Sequence, residues 1–293
     1  MKRIICVVGP TAVGKSEMGI AIAKHLKGEI ISCDAFQFYR GLDIGTAKLK
    51  SDDWQGVNHH LIDILDPNES FSVADYQSIV RAKIDELHQK NMIPILVGGS
   101  GLYLQSVLYD YRFNGEKRVD DSDLAKLANG ELWQLLFSIA PEIAEITDHN
   151  NRRRLLRAIE IARSDGDPFD GFGKNKFYES FEIIGLEMPR TDLYKAIEQR
   201  VDQMFDFGLL EEVRGLYDAK VTGQSIAAIG YKELYQYFDG IRSIEETVAL
   251  IKQQTRRFAK RQMTWFKNQM DAKWYAVDKA DFKSVIEKVI SEL

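Results

Sequence analysis

The stretch RIICVVGPTAVGKS, residues 3–16, carries the main indication of the fold. Residues 3–9 form an apolar, β-branched run that predicts a buried strand. Residues Gly9–Ser16 fit the pattern G-x-x-x-x-G-K-[ST], and helical spacing follows from Ser16 to Leu26. Because the pattern lies between a strand and a helix, it predicts a P-loop, whose backbone N–H groups and helix N-terminus face a phosphate.

The elements downstream of this loop predict an α/β protein. Strand-like runs at 29–34, 93–97, 181–188 and 273–277 alternate with helical segments, which is typical of βαβ units. Helices are expected at 73–89, 191–206, 208–219, 225–238 and 243–268, with a final helix reaching Leu293. The pattern predicts a P-loop NTPase-like parallel sheet flanked by helices.

Residues 113–180 interrupt the alternation. They contain loops at 113–123 and 164–176, helical stretches at 124–146 and 152–163, and no strong strand pattern. We therefore expect a catalytic core of residues 1–112 and 181–293, with a helical insertion domain at 113–180.

The composition is that of a folded protein. Hydrophobic residues make up 45% of the 293-residue chain and charged residues 28%, which excludes a mainly disordered chain. No run approaches the roughly 20 apolar residues of a membrane span, and no signal peptide is recognised. Cys6 and Cys33 fall in predicted strands, which indicates buried thiols rather than a disulfide framework or a zinc finger. We expect a cytoplasmic protein with no membrane partner.

The net charge of −5 hides two basic regions. Seven basic side chains against one acid lie between residues 252 and 273, namely Lys252, Arg256, Arg257, Lys260, Arg261, Lys267 and Lys273. A second cluster is Arg152, Arg153, Arg154 and Arg157. The local field decides whether nucleic acid binds, but a basic helix is most often just a solvated face. Taken alone, this pattern leaves RNA binding open.

Candidate chemical groups fall at the predicted carboxyl ends of strands, where parallel sheets bind ligands. In the P-loop, Lys15 offers a charge to the outer phosphate and Ser16 a hydroxyl ligand for Mg²⁺. The strand at 93–97 ends in Gly-Gly-Ser100 without a carboxylate, so the usual ATPase metal ligand is missing there. Asp34 could bind metal, act as a base or cap the following turn.

Blocks along nearly the whole chain resemble the tRNA dimethylallyltransferases (isopentenyl-tRNA transferases), in their short bacterial form. In family order, they are Gly9–Ser16, Asp34–Lys48, His59–Asp63, Val97–Tyr103, Ala228–Lys232 and Thr255–Phe266. The resemblance implies that the P-loop holds the diphosphate of dimethylallyl diphosphate. It further implies that the exocyclic amine of the adenosine 3′ of the anticodon attacks the allylic carbon and diphosphate leaves. A monomer would suit one tRNA per active site.

The resemblance also assigns roles to individual residues. Asp34 would accept the amine proton, and Ser100, which stands where the family usually has threonine, would lie near the amine. The diphosphate would be bound by Gly9, Pro10, Thr11, Ala12, Val13, Gly14, Lys15, Ser16 and Arg200. Near the reaction centre, tRNA would be contacted by Asp34, Ala35, Phe36, Gln37 and Ser100. Elsewhere, the expected contacts are Arg153, Arg154, Leu155, Leu156, Arg157, Ala227, Ala228, Ile229, Gly230, Tyr231, Lys232, Lys260, Arg261, Gln262, Met263, Thr264, Trp265, Phe266 and Lys267.

Three other functions stay open on the sequence. An adenylate isopentenyltransferase would share the P-loop and Asp34 but would have less need of the basic regions. A P-loop kinase would use ATP as phosphoryl donor, and a non-catalytic RNA-binding module would not need Asp34. The sequence does not determine which tRNAs are modified, the oligomeric state, or whether the P-loop also binds ATP.

Overall fold

The computed structural model describes residues 2–111, 113, 123–163 and 175–293. Among these residues, six strands form one sheet: β1 Ile4–Val8, β2 Gly28–Cys33, β3 His59–His60, β4 Ile93–Gly98, β5 Phe181–Glu187 and β6 Lys273–Ala276. Their spatial order is β3-β2-β4-β1-β5-β6, and every pairing is parallel. The predicted α/β class with a parallel sheet is confirmed.

The sheet register brings three strand ends together. Gly98, the last residue of β4, pairs with Val8 on β1 and with Cys33 on β2. A Cβ on Gly98 would lie 2.0 Å from the Cys33 carbonyl oxygen, so only glycine allows this close approach. The segments that leave these strands, the P-loop, Asp34 and the turn before Ser100, therefore begin side by side.

The helices of the described residues follow in chain order. They are α1 Lys15–Leu26, α2 Val73–Gln89, α3 Gly101–Leu108, α4 Asn129–Ile139, α5 Pro141–Ile146, α6 Arg152–Arg163, α7 Arg190–Asp206, α8 Leu209–Asp218, α9 Tyr231–Phe238, α10 Ile244–Gln269 and α11 Phe282–Ser291, with 3₁₀ turns at Ser51–Trp54 and Ser225–Ala227. None of the helices in the described ranges combines the length and apolar character needed to cross a membrane.

Two helix predictions are wrong in their bounds, and α3 was not predicted. The stretch 124–146 is divided at Pro141, because proline cannot donate the hydrogen bond that would continue α4 and instead begins α5. The stretch 225–238 becomes a 3₁₀ turn followed by α9, because Ala228 is extended, with a ψ of 146°, and Gly230, the N-cap of α9, has a φ of 101°. This interruption leaves residues 227–230 free to line a cavity.

The described chain separates into two compact units. One comprises Met1–Val107 and Tyr178–Leu293 and contains the sheet; the other comprises Leu108–Phe177 and contains α4 to α6. The second unit has its own core, formed by Leu132, Leu136, Leu155 and Ile159 among others. The loops predicted at 113–123 and 164–176 lie mostly outside the described residues. The tRNA contact expected of this unit stays a prediction.

Candidate active site at the carboxyl ends of the strands

The P-loop connects β1 to α1 through two glycines with positive φ, 149° at Gly9 and 105° at Gly14. A Cβ at Gly9 would lie 2.5 Å from the Leu186 carbonyl oxygen, and one at Gly14 would lie 2.7 Å from the Phe282 ring. Both positions therefore require glycine for conformation and for space. Residues 11–17 line a cavity of about 620 Å³, which we call the first cavity.

Lys15 and Arg200 bring two cationic side chains to the first cavity. Lys15 Nζ donates to the Pro10 carbonyl oxygen at 2.7 Å, and Arg200 Nη1 donates to Thr11 Oγ1 at 3.3 Å. Burial, together with the charge of Arg200, lowers the pKa of Lys15 to about 7, and the charge of Asp34 opposes the shift. An anion bound at the loop would raise this pKa again and keep the lysine charged.

Asp34 follows β2 and lines both the first cavity and a second one. Its Oδ1 accepts a hydrogen bond from the Phe36 N–H at 3.0 Å. Asp34 therefore caps the following turn, which is one of the three roles that the sequence allowed. Burial raises the pKa of Asp34, against the effect of the Phe36 N–H and of the Lys15 and Arg200 charges. A carboxylate with raised proton affinity, facing a cavity, also suits a general base.

The second cavity, of about 350 Å³, gathers residues expected to contact tRNA. Its lining includes residues 34–36, Ser100, residues 227–230, Lys232 and Arg261. The two cavities share Thr11, Asp34, Thr46, Ala47, Arg200 and Phe258. Ser100 Oγ accepts a hydrogen bond at 3.3 Å from the N–H of Ala35, the residue that follows Asp34. This contact fixes the position of the hydroxyl and leaves its proton available to a ligand.

A carboxylate that the sequence analysis missed shapes the shared wall. Glu212 on α8 accepts hydrogen bonds from the N–H groups of Asp43 at 3.0 Å, Ile44 at 2.7 Å and Gly45 at 3.2 Å, and from the Tyr231 hydroxyl at 2.6 Å. Thr46 and Ala47, which follow directly, line both cavities. The partners of Glu212 are distant in sequence, so an acidic residue on an amphipathic helix carried no local sign of this role.

Ion pairs within the protein occupy much of the basic stretch on and after α10. Four pairs join Lys252 to Asp202 at 2.5 Å, Arg256 to Glu198 at 2.5 Å, Lys267 to Glu187 at 2.7 Å and Lys273 to Glu292 at 2.7 Å. Arg257, Lys260 and Arg261 are exposed, and we find no ion pair for them within the part of the chain that the structure describes. These three cations of the stretch are therefore free to pair with an external anion.

The other residues expected to contact tRNA differ in accessibility. Arg153, Arg154, Arg157, Ala227, Lys232 and Thr264 are exposed, and Leu156, Ile229, Met263 and Trp265 are half-buried. The side chains of Leu155, Tyr231 and Phe266 are buried, so an RNA could not touch them in this conformation. Gln37 and Gln262 line the first cavity rather than the second. Contact with RNA itself stays a prediction.

The parallel sheet, the P-loop and the two cavities that meet at Asp34 define a P-loop α/β protein with room for two ligands. The model of the family described as IPP transferase matches residues 37–269, which is more than half of the chain. This chain therefore belongs to the IPP transferase family, and the resemblance noted in the sequence is confirmed.

Curated relatives and solved structures agree with this assignment. The tRNA dimethylallyltransferase of Anoxybacillus flavithermus is 45% identical over 100% of this chain and 95% of its own length. That of Bacillus subtilis is 49% identical, covering 93% of this chain and 90% of its own. The tRNA isopentenylpyrophosphate transferase structure from Bacillus halodurans has a TM-score of 0.78 at 40% identity, covering 100% of this chain and 95% of that one. A eukaryotic dimethylallyltransferase acting on tRNA has a TM-score of 0.86 at 26% identity, covering 99% of this chain and 77% of that one.

Proposed function

We propose that this protein transfers the dimethylallyl group of dimethylallyl diphosphate to the N6 amine of the adenosine 3′ of the anticodon in tRNA, releasing diphosphate. The observation that carries the proposal is that two cavities meet at Asp34, one walled by a P-loop and one reaching the exposed cations Lys232 and Arg261. Membership of the IPP transferase family and the names of its relatives support the same reaction.

The first cavity suits the diphosphate of the donor. Backbone N–H groups of residues 12–16 and the N-terminus of α1 favour an anion there, and Lys15 and Arg200 add positive charge. As the allylic C–O bond breaks, its electron pair leaves with the diphosphate, where charge accumulates. Cations already held around the P-loop stabilise that charge without reorganising.

The second cavity suits the adenosine. The base must leave its stack to enter, which costs little in a single-stranded anticodon loop. As N6 forms its bond to the allylic carbon, it gives up a proton, and the carboxylate of Asp34 accepts it. The Ser100 hydroxyl, held by the Ala35 N–H, can donate its own proton to the base and orient it.

RNA contacts outside the cavity would come from exposed cations. Arg257, Lys260 and Arg261 on α10 are exposed, and so are Arg153 and Arg154 on α6. Phosphate contacts of this kind position an RNA, while the cavity selects the base. We propose a monomer, which suits one tRNA per active site, and we propose that it acts on tRNA in the cytoplasm.

Mg²⁺ fits this site as an ion held mainly by the substrate. Ser16, in the first turn of α1, lines the first cavity and offers a hydroxyl ligand. Among the described residues there is no cluster of three His, Cys, Asp or Glu side chains suited to a metal, and Mg²⁺ commonly takes phosphate oxygens and water instead of a protein cage. When bound, the ion would neutralise charge on the leaving diphosphate.

The test is a transfer assay with labelled dimethylallyl diphosphate, Mg²⁺ and unmodified tRNA, with AMP and ATP in parallel tubes. We expect label on tRNA alone, and none on a matched tRNA that carries guanosine in place of the adenosine 3′ of the anticodon. Label on AMP or ATP instead would make the protein an adenylate isopentenyltransferase. No label on any acceptor would contradict the proposal.

A further inference from the structure

Gln262 lies on α10 among exposed cations, but its own side chain points into the protein and is only 6% exposed. Its Oε1 accepts a hydrogen bond from the Thr11 N–H at 2.9 Å, and its Nε2 donates to the Gly99 carbonyl oxygen at 3.0 Å. One amide thus ties the P-loop, which follows β1, to the turn that follows β4.

The surrounding backbone is built to admit this contact. A Cβ on Gly99 would lie 2.1 Å from Gln262 Nε2, and a Cβ on Gly101 would lie 2.0 Å from the Trp265 ring. Gln262 and Trp265 are three residues apart and so lie on neighbouring turns of one face of α10. Two glycines after β4 therefore let this face of the helix approach the strand ends closely.

The hydrogen bonds continue beyond Thr11 to the charged groups of the first cavity. The Thr11 N–H is held by Gln262, and Thr11 Oγ1 accepts from Arg200 Nη1 at 3.3 Å. Thr11 therefore connects Gln262 to a cation that lines the same cavity as Lys15. A change in the orientation of Thr11 would alter both the loop backbone and the direction of the guanidinium.

We propose that Gln262 is a positioning residue for the donor diphosphate, acting through Thr11, and that it makes no contact with RNA. This inference rests on the proposed function, in which the P-loop holds that diphosphate. One helix then contributes to the binding of both substrates. Lys260 and Arg261 present charge to the RNA, and Gln262, on another face of α10, holds the P-loop that binds the donor. Phosphate affinity of a P-loop depends on backbone N–H direction, so fixing Thr11 pre-organises the site.

The first experiment is calorimetric titration of the whole protein with inorganic diphosphate and Mg²⁺, without tRNA. Gln262→Met keeps the length of the side chain and removes both hydrogen bonds, and we expect diphosphate to bind about three- to tenfold more weakly, the range of the net contribution of one hydrogen bond. The tRNA affinity of this variant should match the wild type. The neighbouring variant Lys260→Ala should show the reverse, with weaker tRNA binding and unchanged diphosphate binding.

A second variant separates positioning from a general structural defect. In Gln262→Glu the ionised carboxylate still accepts from Thr11 but faces the Gly99 carbonyl oxygen without a proton, whereas the protonated acid can donate to it. We expect its diphosphate affinity, measured relative to the wild type at each pH, to recover as the pH falls. A defect that comes only from lost stability would show no such recovery, and this profile decides the question if the methionine variant does not fold.

The outcomes distinguish this inference from the proposal on which it rests. If Gln262→Met binds diphosphate like the wild type and loses tRNA affinity, Gln262 contacts RNA and the inference is overturned. If the Gln262→Glu profile runs parallel to that of the wild type, the inference also fails. If the wild-type protein itself binds no diphosphate, the proposed function fails, whatever the variants do.

Discussion

The two cavities that meet at Asp34 are assembled in different ways. The phosphate wall of the first is one continuous segment, residues 11–17, which runs from a strand into a helix. The second collects short pieces from residues 34–36, Ser100, α7, residues 227–230 and α10. A phosphate can be bound by a local arrangement of backbone N–H groups, whereas a base needs walls on several sides. The phosphate site can therefore be predicted from the sequence, whereas the site for the base depends on the tertiary fold.

Replacing Asp34, at which the two cavities meet, should cause the largest loss of activity. In Asp34→Asn the side chain keeps an oxygen for the Phe36 N–H but cannot accept the amine proton, so we expect kcat to fall by about 10²- to 10⁴-fold. Diphosphate and tRNA should still bind, because neither contact requires proton transfer. Single-turnover transfer assays at saturating substrate measure the effect, with the exposed Asp52→Asn as the matched control. Retained turnover would remove the base role from Asp34.

The affinity of the first cavity for diphosphate should depend on pH, and this dependence should set it apart from the second cavity. Because the pKa of Lys15 is about 7 in the free protein, the lysine is charged below that pH and neutral above it. Binding of diphosphate above pH 7 must then restore the proton, and affinity should fall by up to about tenfold per pH unit relative to Lys15→Arg, whose guanidinium does not titrate. Calorimetry in two buffers of different ionisation enthalpy reports this proton uptake directly. An absence of proton uptake at pH 8 in the wild type would contradict the prediction.

The smallest effect is expected on tRNA binding. It tests whether a cation that is paired within the protein differs from one that is not. Lys260 is exposed, whereas Lys252 on the same helix is paired with Asp202 at 2.5 Å. Lys260→Ala should weaken tRNA binding several-fold and reduce the salt dependence of log K by about 0.7 to 0.9, as expected for one lost phosphate contact. Lys252→Ala should leave both quantities unchanged. Equal losses in the two variants would show that ion pairing does not decide which cations meet RNA.

Much of the fold followed from local patterns, whereas the errors have both local and distant causes. Residues 3–9 read as a strand because both faces of a central parallel strand are buried, as β1 is throughout. The stretch 225–238 read as one helix because periodicity does not reveal that Gly230 takes a positive φ. Charge counting made 252–273 one basic region, since the acids that neutralise Lys252 and Arg256 lie on α7.

Local sequence was enough to predict the P-loop, the strands and helices of an α/β sheet and the carboxylate that follows β2, because each depends on residues adjacent in the chain. It also carried the family resemblance, since that rests on blocks of residues in a fixed order. The folded structure alone shows that Glu212 binds the backbone of residues 43–45 beside both cavities. It alone also shows that Gln262 faces the P-loop instead of solvent. Those roles arise from contacts between residues about 170 to 250 positions apart, and no local pattern encodes which distant backbone groups a polar side chain will meet.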